Sequence, residues 1–202
     1  IDFLPERNPA GTLAPLLKLY SEGKLSDGVF VYANGDNLAD VDFKECYKKG
    51  LQLFKSNPEE GFVIDIAAMV PWEESDAYGT LDLDSQGYVR SFKEKAAIEE
   101  NVKIEINGEF KTPINSGFSI IVNPLTLFNS YLDSEVVEIS RKLEAGELSY
   151  KEYETSVKYE TFYEKLAELG KMVAVFHEGY WTDLGTEEKI LASEKELPDF
   201  FV

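Results

Sequence analysis

Two acidic residues, Asp36 in Val-Phe-Val-Tyr-Ala-Asn-Gly-Asp-Asn and Asp183 in Gly-Tyr-Trp-Thr-Asp-Leu-Gly-Thr, each follow an apolar stretch that reads as a buried strand. They lie far apart in the chain. In a sheet whose strands run parallel, both reach the crevice beyond the carboxyl ends of the strands, where α/β proteins hold ligands. Two carboxylates converging there suit Mg²⁺ bridging phosphates, because that cation takes one or two protein carboxylates together with phosphate oxygens and water. Asp40-Val41-Asp42 is a second acidic pair, shaped like an Asp-x-Asp metal motif. Its position at the head of an amphipathic helix favours capping instead.

The elements that must position these residues alternate between helix and strand. Thr12 with Leu13, Leu16, Leu17 and Tyr20 predicts a helix opened by Gly11-Thr12 and closed near Gly23. Residues 29–33 form a continuous apolar run, as in a strand covered on both faces. Phe43, Cys46, Tyr47, Leu51 and Phe54 recur at helical spacing behind Asp40 or Asp42, until Asn57-Pro58 stops them. Residues 62–69 are the next strand. Two alternating runs, 78–84 and 88–95, flank the turn Ser85-Gln86-Gly87 and predict a β-hairpin. Residues 96–113 read as a loop with a short hairpin at Asn107-Gly108, ahead of a strand at 118–122. Asn123-Pro124 opens a mostly helical stretch to about Leu169, whose charged part from Lys142 to Lys165 reads as a solvated surface. A strand from Met172 to Phe176 and a helix from Glu187 to Lys195 complete the pattern. The fold class is α/β, with a Rossmann-like, mixed and mostly parallel sheet flanked by helices, in one domain over 1–202. Residues 125–170, above all 128–165, read as a helical insertion, for which a dimer contact is one use.

Composition narrows the partners. The 202 residues hold 20 Lys plus Arg against 38 Asp plus Glu, a net charge of −18, so a nucleic-acid backbone is not an expected partner. With 44% apolar residues, including 13 Phe and 11 Tyr, a sizeable core can form. The single Cys46 excludes an internal disulfide, and no run of 18 apolar residues or charged-then-apolar leader occurs. A cytoplasmic location away from membranes is the expectation.

Five segments in order resemble the sugar-phosphate nucleotidyltransferases, which join a nucleoside triphosphate to a sugar 1-phosphate and release pyrophosphate. They are Pro9-Ala10-Gly11-Thr12-Leu13-Ala14; Asn34-Gly35-Asp36-Asn37; Tyr78-Gly79 with Phe92-Lys93-Glu94-Lys95; Ile114-Asn115-Ser116-Gly117; and Gly179-Tyr180-Trp181-Thr182-Asp183-Leu184-Gly185-Thr186. The resemblance implies a GT-A-like nucleotidyltransferase fold. It also implies that Asp36 and Asp183 hold Mg²⁺, that Lys95 contacts the sugar phosphate, and that Glu94, Tyr78, Gly79 and Asn115 bind the sugar. Gly11 would allow close approach of the base. Such a transfer needs no protein nucleophile and no imidazole base, so His177 is read as structural. One tension stands: neighbours on a strand point to opposite faces, so Glu94 and Lys95 share a site only if the strand bends or ends there.

The family's first strand and Gly-rich loop, with its Arg and following Lys, have no counterpart here, and the chain opens on Ile1 rather than Met. The strongly acidic remainder repels a triphosphate without those cations. The 202 residues alone are therefore expected to turn over negligibly, an upstream portion supplying the loop. Two other classes stay open: a GT-A-type glycosyltransferase with its metal on Asp40 and Asp42, and a non-catalytic sugar-phosphate-binding or regulatory module.

Overall fold

The computed structural model describes residues 4, 5, 7, 8 and 10–200. Its strands are β1 (Val29–Ala33), β2 (Asn37–Ala39), β3 (Phe62–Pro71), β4 (Gly79–Leu83), β5 (Val89–Glu94), β6 (Ile104–Ile106), β7 (Glu109–Val122), β8 (Met172–Phe176) and β9 (Trp181–Asp183). Its α-helices are α1 (Ala14–Ser21), α2 (Phe43–Leu53), α3 (Pro124–Tyr131), α4 (Ser134–Glu144), α5 (Tyr150–Tyr153), α6 (Tyr159–Glu168) and α7 (Glu187–Phe200). A seven-stranded sheet runs β5-β4-β7-β3-β8, with β1 and β6 also paired to β7, while β2 and β9 form a separate two-stranded ribbon.

The mixed sheet with helices on its faces is as expected. Strands β1, β3, β4, β6 and β8 point one way, yet only β3 and β8 form a parallel ladder. The reason is β7, which runs against the others and lies between them. It is longer than the predicted 118–122, because the segment from Glu109 continues the ladder with β3 through a register shift at Ile66/Ala67. The hairpin at Asn107-Gly108 is present, and both turn residues have positive φ, as a tight two-residue connection demands.

Alternation along β3 divides the core. Val63 and Ala67 face Leu13, Leu17, Phe128, Tyr163 and Leu166 from α1, α3, α6 and the approach to α1. Phe62, Ile64 and Ile66 face Cys46 and Phe54 on the α2 side, with Val173 and Val175 of β8. Each large side chain buried this way contributes about 1.5–3 kcal/mol. Asp42 caps α2 by accepting from the Glu45 N–H at 2.9 Å.

Two expectations are corrected. First, β1 is not covered on both faces: Val29 and Val31 are 50% and 51% exposed, because among the described residues β1 pairs only with β7 and its alternate side chains face outward. Second, the charged stretch from Lys142 to Lys165 is not merely a solvated surface. The apolar stripe of α6, Tyr159, Phe162, Tyr163 and Leu166, is buried against the sheet, and charge occupies only the opposite face. Among the described residues no helix is long and apolar enough to cross a membrane.

Candidate active-site cleft

The chain leaves β1 through Asn34-Gly35-Asp36, and Asn34 N–H donates to Gly117 O at 2.8 Å. It then enters β2, which pairs antiparallel with β9 so that Asn37 stands opposite Asp183. Leu184 N–H donates to Asp36 O at 2.6 Å, closing the ribbon. Asp36 and Asp183 are thereby brought to one cleft of about 300 Å³, which also holds Tyr78, Gly79, Glu94, Lys95 and Asn115. Of the metal- and substrate-binding residues that the resemblance implies, Gly11 alone lies elsewhere. Its φ is +95° and a side chain there would strike Val157, so its close approach serves packing against the turn before α6.

Gly117 fastens the ribbon to the sheet. Its φ is +80° and a Cβ there would run into the Asn37 carboxamide. Ser116 O accepts both Asn37 Nδ2 and Trp181 Nε1 at 2.7 Å, so one carbonyl of β7 anchors β2 and β9 together.

Glu94 and Lys95 share the cleft because β5 ends between them. Lys95 adopts φ +49°, and its N–H donates to Tyr78 O at 3.1 Å. The bend turns neighbouring side chains toward one site, which a continuing strand forbids. Gly79, opposite Glu94 in the ladder, leaves room that the Glu94 carboxylate uses. Burial raises the Glu94 carboxyl above its ordinary range, and the nearby Glu160 charge adds to this.

The two aspartates differ in environment. Asp36 is exposed, and its carboxylate makes no hydrogen bond or ion pair among the described residues. Asp183 is ion-paired to Lys189 of α7 and accepts from Tyr78 Oη at 3.2 Å and from Gly185 N–H at 3.3 Å. Burial works to raise its carboxyl, but the Lys189 bond and the Gly185 N–H hold it below the usual value. Lys189 itself is raised: burial opposes its charge, and the bonds to Asp183 and Tyr78 more than offset this.

The Asp-x-Asp imitation is spent elsewhere. Asp42 caps α2, and Asp40 pairs with His177 Nε2 at 3.0 Å. Neither lines the cleft with Asp183, which removes the support for a glycosyltransferase metal site on that motif.

The cleft also contains Asn34, Asn37, Glu160, Trp181 and Lys189, which sequence reasoning did not select as site residues. Lys189 carried one readable signal, being the first cation after Asp183; Glu160 carried none, since it is one of many Glu in the stretch from 144 to 168. Thr12 does not cap α1, whose first helical turn follows Leu13. It caps α6, accepting from Tyr159 N–H at 2.8 Å, and donates to Glu160 at 3.1 Å.

Two aspartates, two lysines and several polar side chains thus meet in one cleft of an α/β protein built on a seven-stranded mixed sheet. A model of the nucleotidyl transferase family matches residues 1–199, and the chain belongs to that family. Among characterised proteins it is similar to the UTP–glucose-1-phosphate uridylyltransferase of Synechocystis sp. strain PCC 6803, 32% identical over 98 residues, covering 48% of this chain and 24% of that enzyme. Among solved structures it is similar to HddC from Yersinia pseudotuberculosis, at 19% identity and a TM-score of 0.57, covering 97% of this chain and 66% of that one. The same protein complexed with GMP-PN matches at 20% identity and a TM-score of 0.55, with the same coverage. The chain thus spans about a quarter of the length of the characterised relative and 66% of the length of the solved one.

Proposed function

We propose that the polypeptide containing this chain transfers a nucleotidyl group from a nucleoside triphosphate to a sugar 1-phosphate, giving an NDP-sugar and pyrophosphate. The observation that carries the reading is the convergence of Asp36 and Asp183 on the cleft that also holds Glu94, Lys95 and Asn115. An oxygen of the sugar phosphate attacks the α-phosphorus in line, forming one P–O bond as the bond to the pyrophosphate oxygen breaks. Positioning and charge neutralisation then supply most of the catalysis.

The donor set fits Mg²⁺. Asp36 offers an uncommitted carboxylate and Asp183 one held by a displaceable ammonium, while no group of three or more His, Cys, Asp or Glu among the described residues could enclose an ion. Such a site suits a cation that takes few protein ligands and leaves positions for phosphate. When bound, Mg²⁺ supplies charge neutralisation at the phosphates. Lys95 pairs with the sugar phosphate, and the Glu94 carboxylate accepts hydrogen bonds that the sugar hydroxyls donate, beside Tyr78, Gly79 and Asn115. Gly11, committed to Val157, receives no substrate role in this reading.

Carboxylates of Asp36, Glu94, Glu160 and Asp183 face the cleft against the ammonium groups of Lys95 and Lys189. A triphosphate needs more positive charge than that, so the 202 residues alone are expected to release pyrophosphate negligibly. The test is pyrophosphate release by the full polypeptide across the common nucleoside triphosphates and hexose 1-phosphates with Mg²⁺. Activity is expected with at least one pair, and Asp183→Asn should lower kcat at least about a hundredfold. Absence of release with every pair, or an active Asp183→Asn variant, would overturn the proposal. Sugar 1-phosphate binding without turnover would instead mark a regulatory module.

A further inference from the structure

Asp65 of β3 is fully buried, in a position whose neighbours along the strand are all apolar. Its Oδ2 accepts a hydrogen bond from Asn115 Nδ2, and its Oδ1 has no partner among the described residues. A carboxyl group placed in a core with half its capacity unused is unfavourable, and an apolar residue there would be the better filler. Its presence calls for a use.

The Asn115 carboxamide has two N–H donors and two acceptor lone pairs on its oxygen. One donor goes to Asp65, and one lone pair accepts the Gly117 N–H at 2.8 Å. One donor and one lone pair are left over, on a side chain that lines the cleft. That couple matches a hydroxyl group, which both gives and takes a hydrogen bond. Turning the amide over would set its nitrogen against the Gly117 N–H, donor facing donor, and that contact opposes it.

Resting on the function proposed above, we propose that Asp65 is a positioning residue that locks the Asn115 carboxamide from beneath, so that its remaining donor and acceptor meet one hydroxyl of the sugar 1-phosphate. Asp65 does not touch the ligand. Behind it, Ser119 of β7 bonds the hydroxyls of Tyr159 and Tyr163 of α6, so the clamp stands on a polar cluster that is itself satisfied.

The test uses the full polypeptide with Asp65→Leu and Asp65→Asn. In Asp65→Leu the KM for sugar 1-phosphate should rise about tenfold, the loss of one oriented hydrogen bond, while the KM for nucleoside triphosphate stays unchanged. Asp65→Asn keeps a carbonyl oxygen facing Asn115 and should restore most of the affinity. Adding Asp65→Leu to Asn115→Ala should cost nothing further. Should Asp65→Leu fail to fold, Asp65→Ser, too short to reach Asn115, carries the same expectations. Independently of turnover, NMR should show slow exchange of the Asn115 carboxamide proton given to residue 65 in the wild type and in Asp65→Asn, and at least about tenfold faster exchange of that proton in Asp65→Leu. An unchanged sugar 1-phosphate KM, equal behaviour of the Leu and Asn variants, additivity with Asn115→Ala, or protection that survives Asp65→Leu would overturn the proposal. A wild type inactive on every sugar 1-phosphate, with that Asn115 proton still protected, would overturn the functional reading and with it the ligand named here.

Discussion

Asp65 makes a prediction about stability as well as about ligand. Burial pushes its carboxyl up to about 8, against an ordinary value of 3.8, although the hydrogen bond from Asn115 works the other way. The groups packed around it, the Ser119 hydroxyl and the phenols of Tyr159 and Tyr163, are neutral in this range, the two phenols being raised well above their ordinary value by burial. Between about pH 4 and pH 8 the folded protein therefore holds a proton there that the unfolded chain has released. Stability falls as pH rises across that window, with a slope of at most about 1.4 kcal/mol per unit, and levels off above pH 8. Asp65→Asn has no such proton, so its stability relative to the wild type should climb from pH 5 to pH 8. Urea melts at several pH values measure this, and a difference that does not change with pH would refute it. Lys95 shows the same local logic in backbone form. Its positive φ carries a small conformational cost, and what that cost secures is two consecutive side chains on one cleft.

The ribbon of β2 and β9 is the element on which both aspartates depend. It is short, and its attachment to the sheet runs through Ser116 O and the space left by Gly117. Gly117→Ala would force an L-residue into φ +80° and drive a methyl group into the Asn37 carboxamide. Destabilisation of roughly 1–3 kcal/mol is expected. Because the displaced element carries Asp36 and faces Asp183, metal affinity should drop with it, and titration with Mn²⁺ followed by electron paramagnetic resonance would show the loss. Unchanged Mn²⁺ affinity in a folded Gly117→Ala variant would mean that the ribbon does not organise the pair. Helix α6 plays the complementary part on the other wall, since its buried tyrosines hold the face from which Glu160 reaches the cleft.

The charge of −18 spread over 202 residues makes the folded state repel itself. Screening that repulsion should raise the melting temperature as NaCl increases from about 10 mM to about 300 mM, over which the Debye length shrinks from roughly 30 Å to less than 8 Å. At equal ionic strength millimolar MgCl₂ should raise it further, because a cation held by Asp36 and Asp183 binds the folded state alone. In Asp36→Asn the extra increment from Mg²⁺ should vanish while the NaCl effect remains. Equal increments in the variant and the wild type would place the ion elsewhere.

Much of the architecture was legible in the residue pattern because it rests on local periodicity. The strands at 62–69 and 172–176, the 78–95 hairpin, the Asp42 cap and the turn at Asn107-Gly108 each follow from neighbours within a few positions. The membership of the cleft was legible through short motifs, and Asp36, Asp183, Glu94, Lys95, Tyr78, Gly79 and Asn115 do meet there. Pairing was not legible. That β7 runs against its neighbours, that β1 has a ladder on one side only among the described residues, and that α6 is buried along one stripe depend on contacts between segments far apart in the chain. Asp65 shows the boundary clearly: within an apolar run an aspartate reads as an anomaly, and its use becomes visible only when β7 brings Asn115 beside it. Residue type and spacing thus determined which chemical groups this protein owns. The three-dimensional fold decided which of them face one another, because hydrogen bonds and packing across the sheet depend on proximity in space, which sequence separation does not encode.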